Sequence, residues 1–423
     1  MSFRFIHAAD IHLDSPLRGL FDSEGHAAER IRTATREAFD NLISLAIDEQ
    51  VDFLIIAGDL YDGDWKDYNT GLFFVRHMGR LNEAGILVFI VYGNHDAESQ
   101  ITRRLILPEN VRPFSSRKPE TLLLESIGVA LHGQSYKERN IVDNLVTAYP
   151  ARSSGMFNIG VLHTGIGGMG GHENYAPCTI EELVNKGYDY WALGHVHQSR
   201  ILHKQPYIVF PGNLQGRHIR ETGQKGAYLI TVDEKDITDI EPLYTDTVRW
   251  IQVSIDASNY QHMPQILSDI SSTLEKAIAH HAEGRLLACR IEINGQSQLH
   301  SELTASRDSL LAQARALAMG LGEDAIWIEK VIITTNPIVD LGTLQSREDA
   351  LGALLQILDD ASADSELLRQ LESDVDILVR KLPYEIRVNS EDSILKTAIE
   401  GNYANLISQV SDYLIARIVG EGE

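Results

Sequence analysis

The chain has 423 residues, of which 43% are hydrophobic and 23% charged, a composition ordinary for a globular protein of two or three domains. Its formal net charge of −23 excludes a protein that coats nucleic acid with a generally basic surface. If DNA binds, it must meet a local basic patch or metal ions, because the average field of the chain repels it.

Cysteine usage and hydropathy indicate the compartment. Cys178 and Cys289 are far apart, which excludes a disulfide framework and a thiolate zinc site and favours a reducing compartment. The first residues, MSFRFIHAAD, lack the basic segment and long apolar run of a signal peptide, and no apolar run approaches the length of a transmembrane helix. We therefore expect a cytoplasmic protein that does not enter a membrane.

The first 247 residues alternate β-rich runs with amphipathic helical patterns, as α/β folds do. Strands are predicted over FRFIHAAD, VDFLIIAGD and ILVFIVYGN, with helices over residues 28–49 and 69–85 between them. Later strand-like runs, most of them ended by glycine or a polar turn, are TLLLESIGVALHG, MFNIGVLHT, YDYWALGH, PYIVFPGN and KGAYLITVD. The pattern predicts one α/β domain over residues 1–247.

The pattern restarts near residue 248. RWIQVSID, RLLACRIEING and IWIEKVIITT are predicted strands, and two helical segments between them complete a β-α-β-α-β unit over residues 248–339. After Pro337 the sequence is almost wholly helical and acidic, which predicts a helical region over residues 340–423. Three domains are therefore expected.

Five short polar motifs each follow one of the β-rich runs of the first domain. They are ADIHLD (9–14), GDLYD (58–62), GNHD (93–96), LHTG (162–165) and GHVH (194–197). Open α/β sheets place their sites at the carboxyl ends of the strands, so we expect the five motifs to lie together. A single motif of this kind is more often a turn or a cap, but the five in this order indicate a functional site.

The side chains of these motifs are typical metal ligands. Seven of them offer oxygen or nitrogen: Asp10, His12, Asp59, Asn94, His163, His195 and His197. A set without sulfur suits Mn²⁺, Fe²⁺ or Zn²⁺, and seven ligands fit two ions about 3.5–4 Å apart that share a carboxylate. On extended backbone Asp10 and His12 share a face, whereas the adjacent Asn94, His95 and Asp96 point apart and should have separate tasks.

The series D-x-H, GD, GNH[DE], H and GHxH resembles the motifs of the calcineurin-like metallophosphoesterases. The residues ADIHLD, GDLYD, GNHD and GHVH resemble more closely those of the SbcD-type DNA repair exonucleases, in the YhaO-like branch. The motif match covers about residues 1–200. The resemblance implies a four-layer α/β/β/α sandwich with an α/β capping domain and a helical tail. It also implies a homodimer and an SMC-like coiled-coil ATPase partner. No GxxxxGK[ST] loop occurs in this sequence, so any ATP dependence must come from another chain.

The resemblance also implies how the metal ligands are divided, with Mn²⁺ as the expected ion. One ion would be held by Asp10, His12 and His197. The second would be held by Asn94, His163 and His195, with Asp59 bridging both.

The remaining motif residues have other roles in the resemblance. His95 matches a position that contacts the scissile phosphate or protonates the leaving oxygen, and Asp96 would orient that imidazole. The reaction implied is in-line attack on a phosphodiester by a hydroxide that bridges the two ions. Asp14 and Asp62, which lie next to predicted ligands, are expected to support a ligand or to form turns.

One basic loop offsets the acidic chain locally. PGNLQGRHIRETGQKG (211–226) follows GHVH between two predicted strands and carries Arg217, His218, Arg220 and Lys225. A loop that contacts the DNA backbone and a solvated hairpin fit this pattern equally well.

The motifs predict a two-metal phosphoesterase, and the resemblance implies that it is a Mn²⁺-dependent DNA phosphodiesterase, an exonuclease acting in DNA repair. A phosphodiesterase or phosphatase for a small substrate such as a nucleotide is the first alternative, because it uses the same metal centre and suits the acidic charge. A metal-stabilised scaffold that binds DNA or a partner without turnover is the second, and the His95–Asp96 pair argues against it.

Overall fold

The computed structural model describes residues 2–15, 26–62, 68–98, 105–166, 175–338, 357, 364–382 and 393–407. These residues fall into two compact units. The first comprises residues 1–252, 274–290 and 317–329, and the second comprises residues 253–273, 291–316 and 330–423. The predicted division into 1–247, 248–339 and 340–423 stays a proposal.

The described secondary structure alternates as the sequence predicts. The strands are β1 (Phe3–Ala8), β2 (Phe53–Ala57), β3 (Leu87–Val91), β4 (Val111–Pro113), β5 (Glu120–Leu124), β6 (Val129–Gly133), β7 (Phe157–His163), β8 (Tyr190–Gly194), β9 (Arg200–Lys204), β10 (Tyr207–Phe210), β11 (Gly226–Asp233), β12 (Asp236–Tyr244), β13 (Val248–Asp256), β14 (Leu286–Asn294), β15 (Gln296–Ser297), β16 (Ile326–Ile333) and β17 (Asn336–Pro337). The α-helices are α1 (His26–Asp48), α2 (Tyr68–Glu83), α3 (Asn94–Glu98), α4 (Ile180–Asn185), α5 (Met263–Ala277), α6 (His300–Ala305), α7 (Arg307–Leu321), α8 (Ser365–Lys381) and α9 (Ser393–Ile399).

The first of two six-stranded sheets has the strand order β12-β11-β1-β2-β3-β4. Strands β1 to β4 run parallel, β11 pairs antiparallel with β1, and β12 pairs antiparallel with β11 at the edge of the sheet. Parallel strands covered on both faces are continuous apolar runs, and every residue of β2 is buried. These buried runs are why the sequence predicts β1, β2 and β3 directly.

The second sheet has the order β5-β6-β7-β8-β10-β9. Strands β6, β7, β8 and β10 run parallel, whereas β5 and β9 are antiparallel strands at its edges. The run TLLLESIGVALHG, predicted as one strand-like segment, is instead a hairpin of β5 and β6. Its turn contains Gly128, whose φ of +67° lies in the left-handed region that favours glycine.

The two sheets pack face to face on a shared apolar core. Phe5 of β1 stacks on Phe53 of β2 with ring centroids 5.0 Å apart and meets Tyr190 of β8 edge to face at 5.3 Å. Helices α1 and α2 cover the outer face of the first sheet through residues such as Phe39, and α4 covers the outer face of the second through Leu183. The predicted α/β/β/α sandwich is thus confirmed.

Five parallel strands end at the polar motifs, as the sequence predicts. Asp10 follows β1, Asp59 follows β2, Asn94 follows β3, His163 ends β7 and His195 follows β8. The site therefore draws side chains from both sheets, at the carboxyl ends of their strands.

The chain from Val248 onward forms a three-stranded sheet of order β13-β14-β16, with α5 after β13 and α7 between β14 and β16. Helices α8 and α9 belong to the predicted helical tail, most of which lies outside the described residues. Among the described helices, none is long and apolar enough to span a membrane.

Candidate metal centre

The backbone of four of the seven predicted ligands is left-handed. The angle φ is +50° at Asp10, +45° at His12, +50° at Asp59 and +106° at His195. Residues other than glycine rarely adopt such angles, which cost energy and cluster at functional sites. The extended backbone assumed for Asp10 and His12 is therefore wrong. Tight turns after the strands direct these side chains. The Ser15 N–H closes the turn after β1 by donating to the carbonyl oxygen of His12 at 3.0 Å, and the Asp10 N–H joins the ends of β1 and β2 by donating to the carbonyl oxygen of Gly58 at 3.0 Å.

Asp10, His12 and His197 form the first cluster. Their ligand atoms all lie within 4.8 Å of one another. The Nε2 atoms of His12 and His197 are 3.2 Å apart. Both oxygens of the Asp10 carboxylate accept the backbone N–H of His195 at 3.0 Å, which fixes the orientation of that carboxylate.

Asp59, His163 and His195 form the second cluster, again with ligand atoms within 4.8 Å of one another. His163 Nδ1–H donates to the carbonyl oxygen of Ala57 at 3.0 Å, so Nε2 is the nitrogen that carries the lone pair when the ring is neutral. That nitrogen lies 3.0 Å from Asn94 Oδ1 and 3.4 Å from Asp59 Oδ2. The Nε2 atom of the neutral His163 ring thus faces two oxygen atoms that also carry lone pairs.

Asp59 lies between the two clusters. Its Oδ2 is 3.8 Å from His12 Nε2 and 3.4 Å from His163 Nε2. Buried lone pairs at these distances need a cation or shared protons between them. The oxygen and nitrogen donors fit two divalent ions that share the Asp59 carboxylate. The structure brings all seven predicted ligands together in this one region.

Burial and neighbouring charges shift the pKa values of the site. Burial raises the pKa of Asp10 to about 7. Burial alone would lower the pKa of His163, but the Asp59 carboxylate beside it raises that pKa to about 9. Burial would raise the pKa of Asp59, yet His163 and His95 hold it well below its ordinary value. Because a divalent ion competes with protons on these ligands, metal affinity depends on pH.

Of the three motif glycines that pack against the His163 ring, Gly58 and Gly194 leave room for its Nδ1 side. A Cβ on Gly194 would lie 1.8 Å from the carbonyl oxygen of Ala57 and 2.9 Å from His163 Nδ1. A Cβ on Gly58 would lie 2.2 Å from the same nitrogen, and the φ of Gly58 is +97°. Glycine is therefore required at both positions by the packing of a candidate ligand.

His95 lies at the exposed side of the first cluster. Its side chain is 31% exposed, against 1% for His12, and the two rings meet edge to face at 4.9 Å. His95 Nδ1 lies 2.8 Å from Asp62 Oδ1, and Asp62 also accepts the hydroxyl of Ser15 at 2.5 Å. Burial would lower the pKa of His95, but the Asp59 and Asp62 carboxylates raise it. The imidazole is therefore suited to hold and donate a proton.

Asp96 has a different role from the predicted one. Its carboxylate accepts three backbone N–H groups at 2.8–3.1 Å, those of Leu60, Tyr61 and Gly93. The carboxylate joins the turn after β2 to Gly93, the first residue of GNHD. The prediction that Asp96 orients His95 is wrong, because Asp62 is the carboxylate beside the His95 ring.

The extended backbone assumed for GNHD is also wrong. Asn94–Glu98 is the short helix α3, in which successive side chains are rotated by about 100°. Asn94, His95 and Asp96 point apart as predicted, but for this reason and not because of strand alternation.

The loop of residues 211–226 turns half of its basic groups inward. The Arg217 side chain is 15% exposed, and the buried Lys225 donates from Nζ to the carbonyl oxygen of His197 at 3.0 Å. His218 and Arg220 are exposed. Of the four basic side chains predicted to contact DNA, His218 and Arg220 are therefore the two that face solvent.

Glu221 joins the site although no motif contains it. Its Oε1 accepts the Nδ1–H of His197 at 2.7 Å. The only sign of it in the sequence is an acidic residue within an otherwise basic loop.

Comparison with known proteins finds two family matches. Residues 3–199 match the calcineurin-like phosphoesterases, and residues 250–336 match the middle domain of the metallophosphoesterase YhaO. The chain is 37% identical over 276 residues to a protein of Bacillus subtilis described as the uncharacterized metallophosphoesterase YhaO. That alignment covers 64% of this chain and 67% of the relative.

Two more distant relatives are archaeal proteins described as the DNA double-strand break repair protein Mre11. The protein of Methanopyrus kandleri is 25% identical over 285 residues, which cover 59% of this chain and 58% of the relative. The protein of Sulfurisphaera tokodaii is 25% identical over 239 residues, which cover 53% of this chain and 60% of the relative. The chain thus spans less than two thirds of the length of either archaeal protein.

Proposed function

Because this chain belongs to the calcineurin-like metallophosphoesterase family, we propose that it is a DNA phosphodiesterase, an exonuclease of DNA repair that works with two Mn²⁺ ions. One observation carries the phosphodiesterase proposal. The Asp59 carboxylate is shared between two clusters of candidate ligands, and the exposed His95 lies beside them with Asp62 on its Nδ1.

The residues of the site would have separate roles in metal binding and in proton donation. Asp10, His12 and His197 would hold one ion, and Asn94, His163 and His195 the other, with Asp59 between them. Bound there, the two ions would activate water and stabilise the charge that develops on the phosphate oxygens. His95, whose pKa is raised by Asp59 and Asp62 against the effect of burial, would donate a proton to the departing oxygen.

DNA as the substrate is supported by the names of the two archaeal relatives, at 25% identity. The net charge of −23 and the inward position of Arg217 and Lys225 favour the alternative, a small phosphodiester or phosphomonoester. The same metal centre could hydrolyse either class of substrate, so a comparison of turnover rates is needed to distinguish the two proposals.

A nuclease assay tests the proposal. End-labelled duplex and single-stranded DNA, a nucleotide diester and a nucleotide monoester are each incubated with Mn²⁺, Mg²⁺ or chelator, using the parent chain and the His95→Ala variant. We expect DNA to shorten from an end with Mn²⁺, and His95→Ala to keep its ions but lose about 10²–10⁴-fold in rate. Turnover of the small substrates alone would refute the DNA proposal, and equal rates in parent and variant would refute the role of His95.

The resemblance supports further proposals about assembly and location. We propose a homodimer, an SMC-like coiled-coil ATPase as partner and a cytoplasmic location. Light scattering of the purified chain, affinity purification from cells and fractionation would test them in turn.

A further inference from the structure

The loop between β10 and β11 holds His197 at both its backbone and its ring. The carbonyl oxygen of His197 accepts Lys225 Nζ at 3.0 Å and the backbone N–H of Asn213 at 3.4 Å. At the ring, His197 Nδ1 lies 2.7 Å from Glu221 Oε1. Three residues of the loop predicted to contact DNA thus hold one candidate metal ligand in place.

The surroundings of Glu221 decide which of the two atoms donates. Glu221 Oε2 accepts the backbone N–H of Arg217 at 2.7 Å and the Nδ2–H of Asn213 at 2.9 Å, and Oε1 lies 3.3 Å from the Arg217 guanidinium. A carboxylate surrounded by donors and only 6% exposed is an acceptor, so the proton between Glu221 and His197 belongs to Nδ1. His197 Nε2 then carries the lone pair, and it is the atom that lies 3.2 Å from His12 Nε2.

The second cluster is held differently. There, His163 Nδ1–H donates to the neutral carbonyl oxygen of Ala57. A carboxylate on the far nitrogen of a histidine makes that histidine a more basic ligand than a carbonyl group does. His197 of the first cluster and His163 of the second therefore differ in their support, with a charged acceptor at His197 and a neutral one at His163.

We propose that Glu221 is a positioning residue for the first cluster. It fixes His197 as the Nδ1–H tautomer and so sets the affinity of the Asp10, His12 and His197 cluster for its ion, with a smaller effect on the second cluster, which it does not contact. This proposal rests on the metal sites described above but not on the identity of the substrate. Partners of metal-bound histidines typically change metal affinity by about 10–100-fold.

Metal titration without substrate tests the proposal. Chelator-treated full-length chain is titrated with Mn²⁺ by calorimetry, and the free ion is followed by electron paramagnetic resonance. In Glu221→Gln, which keeps the size of the side chain but not its charge, we expect one of two sites to weaken by about 10–100-fold and the other to change by less than about twofold. Glu221→Asp should recover part of the loss. Glu125→Gln is the matched control, because Glu125 is an exposed carboxylate outside the site.

Parent affinity at both sites in a folded Glu221→Gln, or equal weakening of both, would overturn the proposal. A second measurement does not require Glu221→Gln to fold. Nitrogen-15 spectra of the histidine-labelled, metal-free parent should show a proton on Nδ1 of His197, with the signal assigned by its loss in His197→Gln. A proton on Nε2 instead would overturn the proposal even if no ion bound and no DNA were cut.

Discussion

His95 Nδ1 and Asp62 Oδ1 lie 2.8 Å apart at the exposed side of the metal centre. Asp62 follows β2 and His95 follows β3, two strands that are paired in parallel, so the sheet itself brings the two side chains together. Since the carboxylate accepts Nδ1–H, Nε2 is the ring nitrogen left to pass a proton to a departing oxygen.

Asp62→Asn should lower kcat on substrates that need help with the leaving group. We expect a loss of about 10–100-fold on a nucleotide diester, because the imidazole loses the carboxylate that orients it and raises its pKa. Bis-p-nitrophenyl phosphate, whose leaving group departs without a proton, should lose far less. His95→Ala serves as the reference and should show the same pattern. Equal losses on both substrates would mean that Asp62 does not act through proton donation.

Asp96→Asn should act on stability instead. The Asp96 carboxylate accepts three backbone N–H groups, and an amide would turn its own NH₂ towards one of these donors. We expect the free energy of unfolding to fall by about 1–3 kcal/mol, as measured by urea denaturation of the metal-free chain. Replacement of the exposed Asp233 by Asn is the comparison, and its free energy of unfolding should fall by less. An unchanged midpoint for Asp96→Asn would contradict this account of the turn.

The sequence predicts the sheets and the set of ligands because both depend on local pattern. Buried parallel strands are continuous apolar runs, and the polar motifs stand directly after them. The partners of His95 and His197 depend on tertiary contacts, so the local pattern marks Asp62 as a supporting residue without showing that His95 is its partner, and it does not mark Glu221. Asp62 and Glu221 come from other turns, the latter 24 residues beyond His197. The left-handed φ values of Asp10, His12 and Asp59 are also not predictable from the sequence, because non-glycine residues adopt them only where the surrounding structure imposes them.

Gly194→Ala should destabilise the chain and disturb the second cluster. The added Cβ would lie 1.8 Å from the carbonyl oxygen of Ala57, which is the acceptor that orients His163. We expect a loss of about 1–3 kcal/mol in thermal or urea unfolding, together with weaker binding of one Mn²⁺ ion. Gly79→Ala in α2 is the matched control: no atom lies within 4 Å of its Cβ, so it should gain about 1 kcal/mol. If Gly194→Ala left the free energy of unfolding unchanged, the backbone around Ala57 would have to move away from the added Cβ at little cost.

His7 should make the stability of the chain depend on pH. It is fully buried in β1, donates from Nε2 to the carbonyl oxygen of Leu193 at 3.1 Å and accepts the Tyr190 hydroxyl on Nδ1 at 3.0 Å. Burial lowers the pKa of His7 from 6.5 to about 3. Between these values the unfolded chain binds a proton that the folded chain does not, so stability falls as the pH drops below 6.5 and rises as the pH is raised.

His7→Gln isolates this contribution, because all other titrating groups cancel in the difference between parent and variant. Between pH 7 and pH 5, the free energy of unfolding of the parent should fall by about 2 kcal/mol relative to that of His7→Gln. Each pH unit below the pKa of the unfolded chain is equivalent to about 1.4 kcal/mol. Urea unfolding of the metal-free proteins measures the difference at each pH, and replacement of the exposed His262 by Gln is the control. A difference that stays constant over this range would mean that the folded chain takes up the proton as readily as the unfolded chain, so that the site around His7 admits the imidazolium.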